Sequence, residues 1–158
     1  MEIITRNDYR VLIKDGKMIT DDSPERYAEN KLLKQEMSGE VLLCGLGLGI
    51  LPLTLQDKKE ITKIDVVEIE KEFIEASPKF SDKVSVIHSD IFDFKGEYDY
   101  IYIDIWLSTE GKEKEIKLLK ANLTARKEMI FYGEERWGGV WADKRISETI
   151  LKEQERHE

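Results

Sequence analysis

Val41 to Gly49, which reads Val-Leu-Leu-Cys-Gly-Leu-Gly-Leu-Gly, constrains the fold more than any other stretch of this chain. Its apolar run does not alternate with polar residues, so it reads as a strand covered on both faces, a parallel strand between layers of helices. Gly45, Gly47 and Gly49 turn the chain tightly and free the backbone of side-chain bulk. Ile50–Leu55 then reads as a helix that tolerates Pro52 in its first turn. Strand, glycine loop and helix in that order place a nucleoside-bearing ligand at the carboxyl edge of a sheet. The glycine spacing narrows the choice of ligand. A dinucleotide fingerprint, G-x-G-x-x-G, needs its third glycine where this chain has the branched Ile50. The third glycine falls one residue early, at Gly49.

Three further segments repeat the pattern of a strand that ends in an acid. Ile64–Glu70 is a second apolar strand, and its Glu68 lies about 20 residues past the glycine loop, the offset at which an acid meets ribose hydroxyls. A carboxylate can accept from both hydroxyls through charge-assisted bonds. Val84–His88 runs into Ser89, Asp90, Ile91 and Phe92. Residues 98–106 form a β-branched and aromatic strand that carries Asp104 near its end. In an open α/β sheet these ends converge on one crevice. Asp104 also has a purely structural reading, as the cap of the following helix.

The order of these pieces resembles the class I fold of S-adenosylmethionine (SAM)-dependent methyltransferases, and most of all its spermidine-synthase-like branch. In that branch the first strand has an apolar residue two positions before the first glycine, here Leu43. The second motif resembles Val66-Val67-Glu68-Ile69-Glu70, the third Ser89-Asp90, and the fourth Tyr98-Asp99-Tyr100-Ile101-Tyr102-Ile103-Asp104. The likeness covers residues 41–132. It implies SAM as cofactor. Gly45, Leu46, Gly47 and Gly49 would line the methionine moiety and ribose, and Glu68 would hold the ribose. Asp90 would accept from the adenine amino group, with Ile69 and Ile91 on either side of the ring. Asp104 would sit beside the reacting centre as the catalytic acid or base. Two departures weaken a polyamine chemistry. Leu48 stands where aminopropyltransferases carry an acid in the glycine loop, and no second acid follows Asp104 in Ile105-Trp106-Leu107-Ser108-Thr109. The Asn/Asp-Pro-Pro-Tyr/Phe motif of amino-directed nucleic-acid methyltransferases is also missing. Trp106 is left with two roles, stacking on a substrate or plugging the sheet edge.

The expected fold is a doubly wound, mainly parallel α/β sheet of order 3-2-1-4-5 in a single domain of 158 residues. The fifth strand, Glu128–Tyr132, leaves too few residues for the usual further helix and two strands, so the sheet is expected to stop at five. Residues 145–152 read as a helix before a charged tail. A sheet cut short leaves its fifth strand open to the N-terminal segment, the tail or a second copy of the chain. Residues 1–38 form an N-terminal module ahead of the core of residues 39–158. Asp15-Gly16 signals a hairpin that pairs Tyr9–Lys14 with Lys17–Thr20. A helix follows from Ser23 as cap and Pro24 to about Met37. By the same resemblance this module roofs the site, where Asp22, Tyr27 and Glu29 are candidate contacts or simply a solvated helix face.

No apolar run reaches about 18 residues and no leader is evident, so neither a membrane span nor secretion is expected. A lone cysteine, Cys44, reads as a small buried apolar residue, and no His or second Cys stands at metal-ligand spacing from it. Together these point to a reduced, cytoplasmic protein without structural metal. A net charge of −8 argues against non-specific nucleic-acid binding. The mixed-sign run of residues 111–120 reads as a solvated amphipathic helix. The leading expectation is a SAM-dependent methyltransferase acting on a small-molecule acceptor. The alternatives are an aminopropyltransferase-like enzyme and an inactive binding module.

Overall fold

The computed structural model describes residues 1–6, 8–106 and 108–132. Three strands open the chain: β1 (Glu2–Arg6), β2 (Tyr9–Lys14) and β3 (Lys17–Asp21), an antiparallel meander of order β1-β2-β3. The hairpin between β2 and β3 turns at Asp15 and Gly16, both left-handed with φ of 52° and 75°, the geometry that Asp-Gly supplies at least strain. The expected hairpin is therefore present. β1 is an addition to it, and every residue of β1 is exposed, so no burial periodicity marks it in the sequence.

Helix α1 (Pro24–Glu36) starts where the Ser23 hydroxyl accepts from the Arg26 N–H at 3.4 Å and Pro24 occupies the first turn. At its other end the Lys58 ammonium donates to the carbonyls of Lys34 and Met37, the latter at 2.6 Å, which satisfies acceptors that a helix end leaves open. The core follows as β4 (Gly39–Cys44), α2 (Ile50–Leu55), β5 (Ile61–Glu68), α3 (Lys71–Glu75), β6 (Val84–His88), a 3₁₀ turn at Ile91–Asp93, β7 (Gly96–Ile103), α4 (Glu113–Asn122) and β8 (Leu123–Phe131).

The five core strands pair in parallel in the order β6-β5-β4-β7-β8, which is the expected 3-2-1-4-5. Along β4, Val41 and Leu43 enter one apolar cluster with Leu33 and Met37, while Leu42 and Cys44 enter the other with Ile101 and Leu119. Both faces of β4 are thus covered, and its run of apolar residues follows from that. Several strand boundaries differ from expectation: β4 and β5 begin earlier, at Gly39 and Ile61, and β7 runs over Gly96–Ile103 rather than residues 98–106. β5 stops at Glu68 rather than Glu70, and β8 begins at Leu123, directly after α4. The expected C-terminal helix and the extent of the sheet beyond β8 lie outside the described residues. Among the described residues no helix is long and apolar enough to cross a membrane.

Candidate functional site

Parallel pairing brings the carboxyl ends of β4, β5 and β7 to one edge, and a cavity of about 380 Å³ opens there. Gly45, Leu46 and Gly47 form part of its wall from the loop after β4. Glu68 and Ile69 come from the end of β5, and Asp104 from the end of β7. The N-terminal module closes the opposite side through β3 and α1. The expected crevice is therefore present, and five of the expected cofactor-contacting residues (Gly45, Leu46, Gly47, Glu68 and Ile69) share it with the catalytic candidate Asp104.

Glu68 is buried, 6% exposed, at the junction between loop and strand. One carboxylate oxygen accepts from the Leu46 N–H at 2.9 Å and the other from the Glu70 N–H at 3.0 Å. The first bond holds the glycine loop, and the second turns the chain out of β5. A carboxylate offers about four acceptor positions, so two stay available toward the cavity. Ile69, just past this turn, is 56% exposed and can lie over a planar ligand without repacking the core.

The glycines are required by the chain's own packing. Gly45, Gly47 and Gly49 all have positive φ, of 107°, 54° and 79°. A side chain on Gly45 would meet the Asp104 carbonyl oxygen at 2.5 Å, and one on Gly47 would meet the Thr20 methyl at 2.8 Å. One on Gly49 would meet Pro78 at 2.7 Å. The direction each Cβ would take is thus filled by β7, the hairpin and the segment after α3, while Gly45 and Gly47 still border the cavity. Gly49 is the N-cap residue of α2, outside the cavity wall.

Asp90 and Ile91 follow β6 on the far side of β5 and are not part of the cavity's wall. Asp90 caps the 3₁₀ turn by accepting from the Phe92 N–H at 3.0 Å, and Ile91 is buried. The third-strand pair therefore stands beside the cavity, with Asp90 half-buried. Trp106 packs against Phe131, with centroids 6.5 Å apart and planes 4° from parallel, and it also lines the cavity, so its position is compatible with either role left open for it. Leu48 likewise packs against the core while touching the cavity. Asp104 does not cap the next helix, since α4 begins only at Glu113 with Lys112 at its cap position.

Asp104 instead faces charge. Burial pushes its carboxyl above the ordinary range, Arg26 opposes that, and Glu68 adds to it. Glu29 on α1 is raised in the same way by burial, against the pull of Arg26 and with the push of Asp104. The Arg26 guanidinium lies over the Tyr132 ring at 5.0 Å and 3.7 Å from Glu29. Asn30, one turn further along α1, is 4% exposed and lines the cavity. Its side-chain nitrogen has no hydrogen-bond partner among the described residues.

Arg26 and Asn30 are the contacts that sequence reasoning missed. Asp22, Tyr27 and Glu29, named there instead, are not part of the cavity wall: Asp22 pairs with Arg10 at 2.7 Å. One sequence signal for Asn30 exists. It shares a helical face with Leu33 and Met37, where an apolar residue is the ordinary occupant. Among the described residues, no group of three His, Cys, Asp or Glu side chains is placed to hold a metal ion.

No protein-family model matches the sequence, and no curated protein matches it in sequence. The fold itself has solved counterparts. The spermidine synthase from Thermotoga maritima superposes with a TM-score of 0.59 at 17% identity, covering 96% of this chain and 62% of that one. A spermidine synthase in complex with the transition-state analogue AdoDATO gives 0.54 at 19%, covering 78% and 52%. The N-methyltransferase NodS from Bradyrhizobium japonicum WM9 gives 0.55 at 15% identity, with 83% of each chain covered. The chain thus spans little more than half the length of the spermidine synthases it resembles. With sheet order, glycine loop and strand-end acids in place, the chain has the class I methyltransferase-like fold, which spermidine synthases share.

Proposed function

We propose that the chain binds SAM in this cavity and transfers its methyl group to a small-molecule acceptor. The observation that carries the reading is Glu68: a buried carboxylate that fixes the glycine loop through one oxygen and still presents acceptor positions to a cavity shared with Asp104. The volume of about 380 Å³ is within the range of small-molecule and cofactor sites. The residues present fit the cofactor. Glu68 would bind the ribose hydroxyls, and Ile69 would lie on the adenine. Asp90 and Ile91, beside the cavity, would extend the nucleoside site if the ring reaches past β5.

When bound, SAM supplies a methyl carbon on a positively charged sulfur, which becomes a neutral thioether once an acceptor lone pair takes the methyl group. The chain's own contribution is position and field. Asp104 and Glu68 set negative charge along the wall, which favours a cation there. Asp104, its affinity for protons raised by burial, is suited to take the acceptor's proton. The hairpin and α1 cover the cavity and keep water from competing. Acceptor specificity falls to the N-terminal module, whose β3 and α1 line the cavity, and to Ile105 and Trp106 just past Asp104.

One observation favours a second reading, aminopropyl transfer. Asp21, Glu68 and Asp104 outnumber Lys17 and Arg26 along the described cavity wall, which suits a doubly cationic donor. Calorimetric titration with SAM, S-adenosylhomocysteine, decarboxylated SAM and NAD separates the readings. SAM and S-adenosylhomocysteine should bind at micromolar concentrations, and NAD should not. Tighter binding of decarboxylated SAM would replace methyl transfer by aminopropyl transfer. Binding of none of them would leave an inactive module as the reading.

A further inference from the structure

The wall contributed by α1 carries two donors with no assigned role in that chemistry. Arg26 and Asn30 stand one turn apart on α1, so their side chains project from the same helical face, and both line the cavity. Asn30 is 4% exposed and its side-chain nitrogen is unpartnered among the described residues. Buried polar groups are nearly always paired, so an orphaned amide on a cavity wall points to a partner from outside the described residues, and its place on the wall suits a ligand. Arg26 is held in place by the Tyr132 ring beneath it and, among the described residues, by an ionic contact of 3.7 Å to Glu29. That arrangement fixes the guanidinium plane and uses only part of its five donors.

The open donors of this pair, on a cationic guanidinium and a neutral amide nitrogen, match a planar group made only of acceptors. We propose that Arg26 and Asn30 form a carboxylate-binding subsite that holds the carboxylate of the amino-acid end of SAM and so selects SAM over its decarboxylated form. This rests on the reading of the cavity as a SAM site. Without Arg26 the charges there would be Glu29 and Asp104, and a third carboxylate would be repelled. Lys17, the other cation lining the cavity among the described residues, is exposed on the hairpin, where its charge is hydrated and a weak reader of geometry.

The test compares two ligands with the same nucleoside and thioether. S-adenosylhomocysteine carries the amino-acid end, and 5′-methylthioadenosine lacks it. Each is titrated calorimetrically into wild type, Arg26→Leu, Arg26→Lys, Asn30→Leu and Asn30→Asp, with far-ultraviolet dichroism as the check on folding. Arg26→Leu should weaken S-adenosylhomocysteine by about tenfold to a hundredfold, the usual worth of a charged hydrogen-bonded contact, and leave methylthioadenosine unchanged. Arg26→Lys keeps the charge without the fork and should fall between. Asn30→Asp replaces the donor by a like charge and should lose more than Asn30→Leu. Wild type should prefer SAM to decarboxylated SAM, and Arg26→Leu should erase that preference. Unchanged S-adenosylhomocysteine affinity in the folded Arg26 and Asn30 variants would overturn the subsite, as would equal losses for both ligands. Failure of wild type to bind either ligand would overturn the SAM reading itself, a result distinct from the other two.

Discussion

Replacing Glu68 tests the loop and the site at once. In Glu68→Ala the N–H groups of Leu46 and Glu70 lose an ionised acceptor, at 2.9 and 3.0 Å respectively. A hydrogen bond to a charged group contributes about 1.5–3 kcal/mol. The Leu46 bond is buried and counts near the top of that range, whereas the Glu70 N–H can recover a water. The expected loss is about 3 kcal/mol. For a domain of this size that lowers the melting temperature by about 6–12 °C. Glu68→Gln keeps one acceptor oxygen but turns an NH₂ toward the other N–H, so about half of that loss is expected. The assay is thermal unfolding followed by dichroism, paired with titration of S-adenosylhomocysteine into each variant at a temperature where all remain folded. Loss of the ribose contact should weaken binding in Glu68→Ala by a further 1.5–3 kcal/mol or about ten- to a hundredfold. A melting temperature within about 2 °C of wild type would refute the claim that this carboxylate holds the glycine loop. The expected destabilisation with unchanged affinity would refute its part in binding.

Three other outcomes follow from the same geometry. Asp104 has a folded-state pKa raised above its unfolded value, so its ionisation subtracts stability once pH exceeds the unfolded pKa of about 4, and the loss grows up to the folded pKa. Asp104→Asn should therefore unfold at higher temperature than wild type near neutral pH, with a gap that closes on acidification to about pH 4; a gap that widens instead would contradict the assignment. Asn30→Leu fills similar volume without the orphaned amide and should stabilise the chain by about 1 kcal/mol, read as a higher melting temperature, even as it weakens ligand binding. Gly47→Ala forces a left-handed φ of 54° on an alanine and drives its methyl to 2.8 Å from the Thr20 side chain. A loss of about 2 kcal/mol is expected, and pairing it with Thr20→Gly should recover the steric part only, which a double-mutant cycle in thermal unfolding would measure.

Strands and their order were legible because burial on both faces leaves a direct mark. Residues 41–44 cannot alternate when Leu43 and Cys44 must enter opposite cores. The strand-end acids were legible for a related reason: the sheet must expose its carboxyl edge, and polarity returns there. What stayed hidden depended on distance in the chain. Arg26 reads as one more charge on a solvated helix until α1 is docked beside β7, and only then does it meet Asp104 and Tyr132. Ile69 and Glu70 continue the apolar pattern of β5, but the Glu68 side chain captures the Glu70 N–H and ends the strand two residues early. The glycines were located by their spacing, yet the reason for them differs. Their neighbours are Thr20, Pro78 and the Asp104 carbonyl, which no local pattern reveals.

Cys44 makes the centre of this sheet observable. It is the single cysteine of the chain, the last residue of β4, fully inaccessible, and its thiol is pushed well above the ordinary range by burial. A thiol reagent can reach it only when the strand that carries the glycine loop separates from its neighbours. The labelling rate therefore counts openings at that one place, with no competing thiol to correct for. A ligand bound at the loop closes that route and should slow labelling by the factor 1 + [L]/Kd, so one sulfur atom serves as a clock for both the stability of the sheet and the occupancy of the cavity.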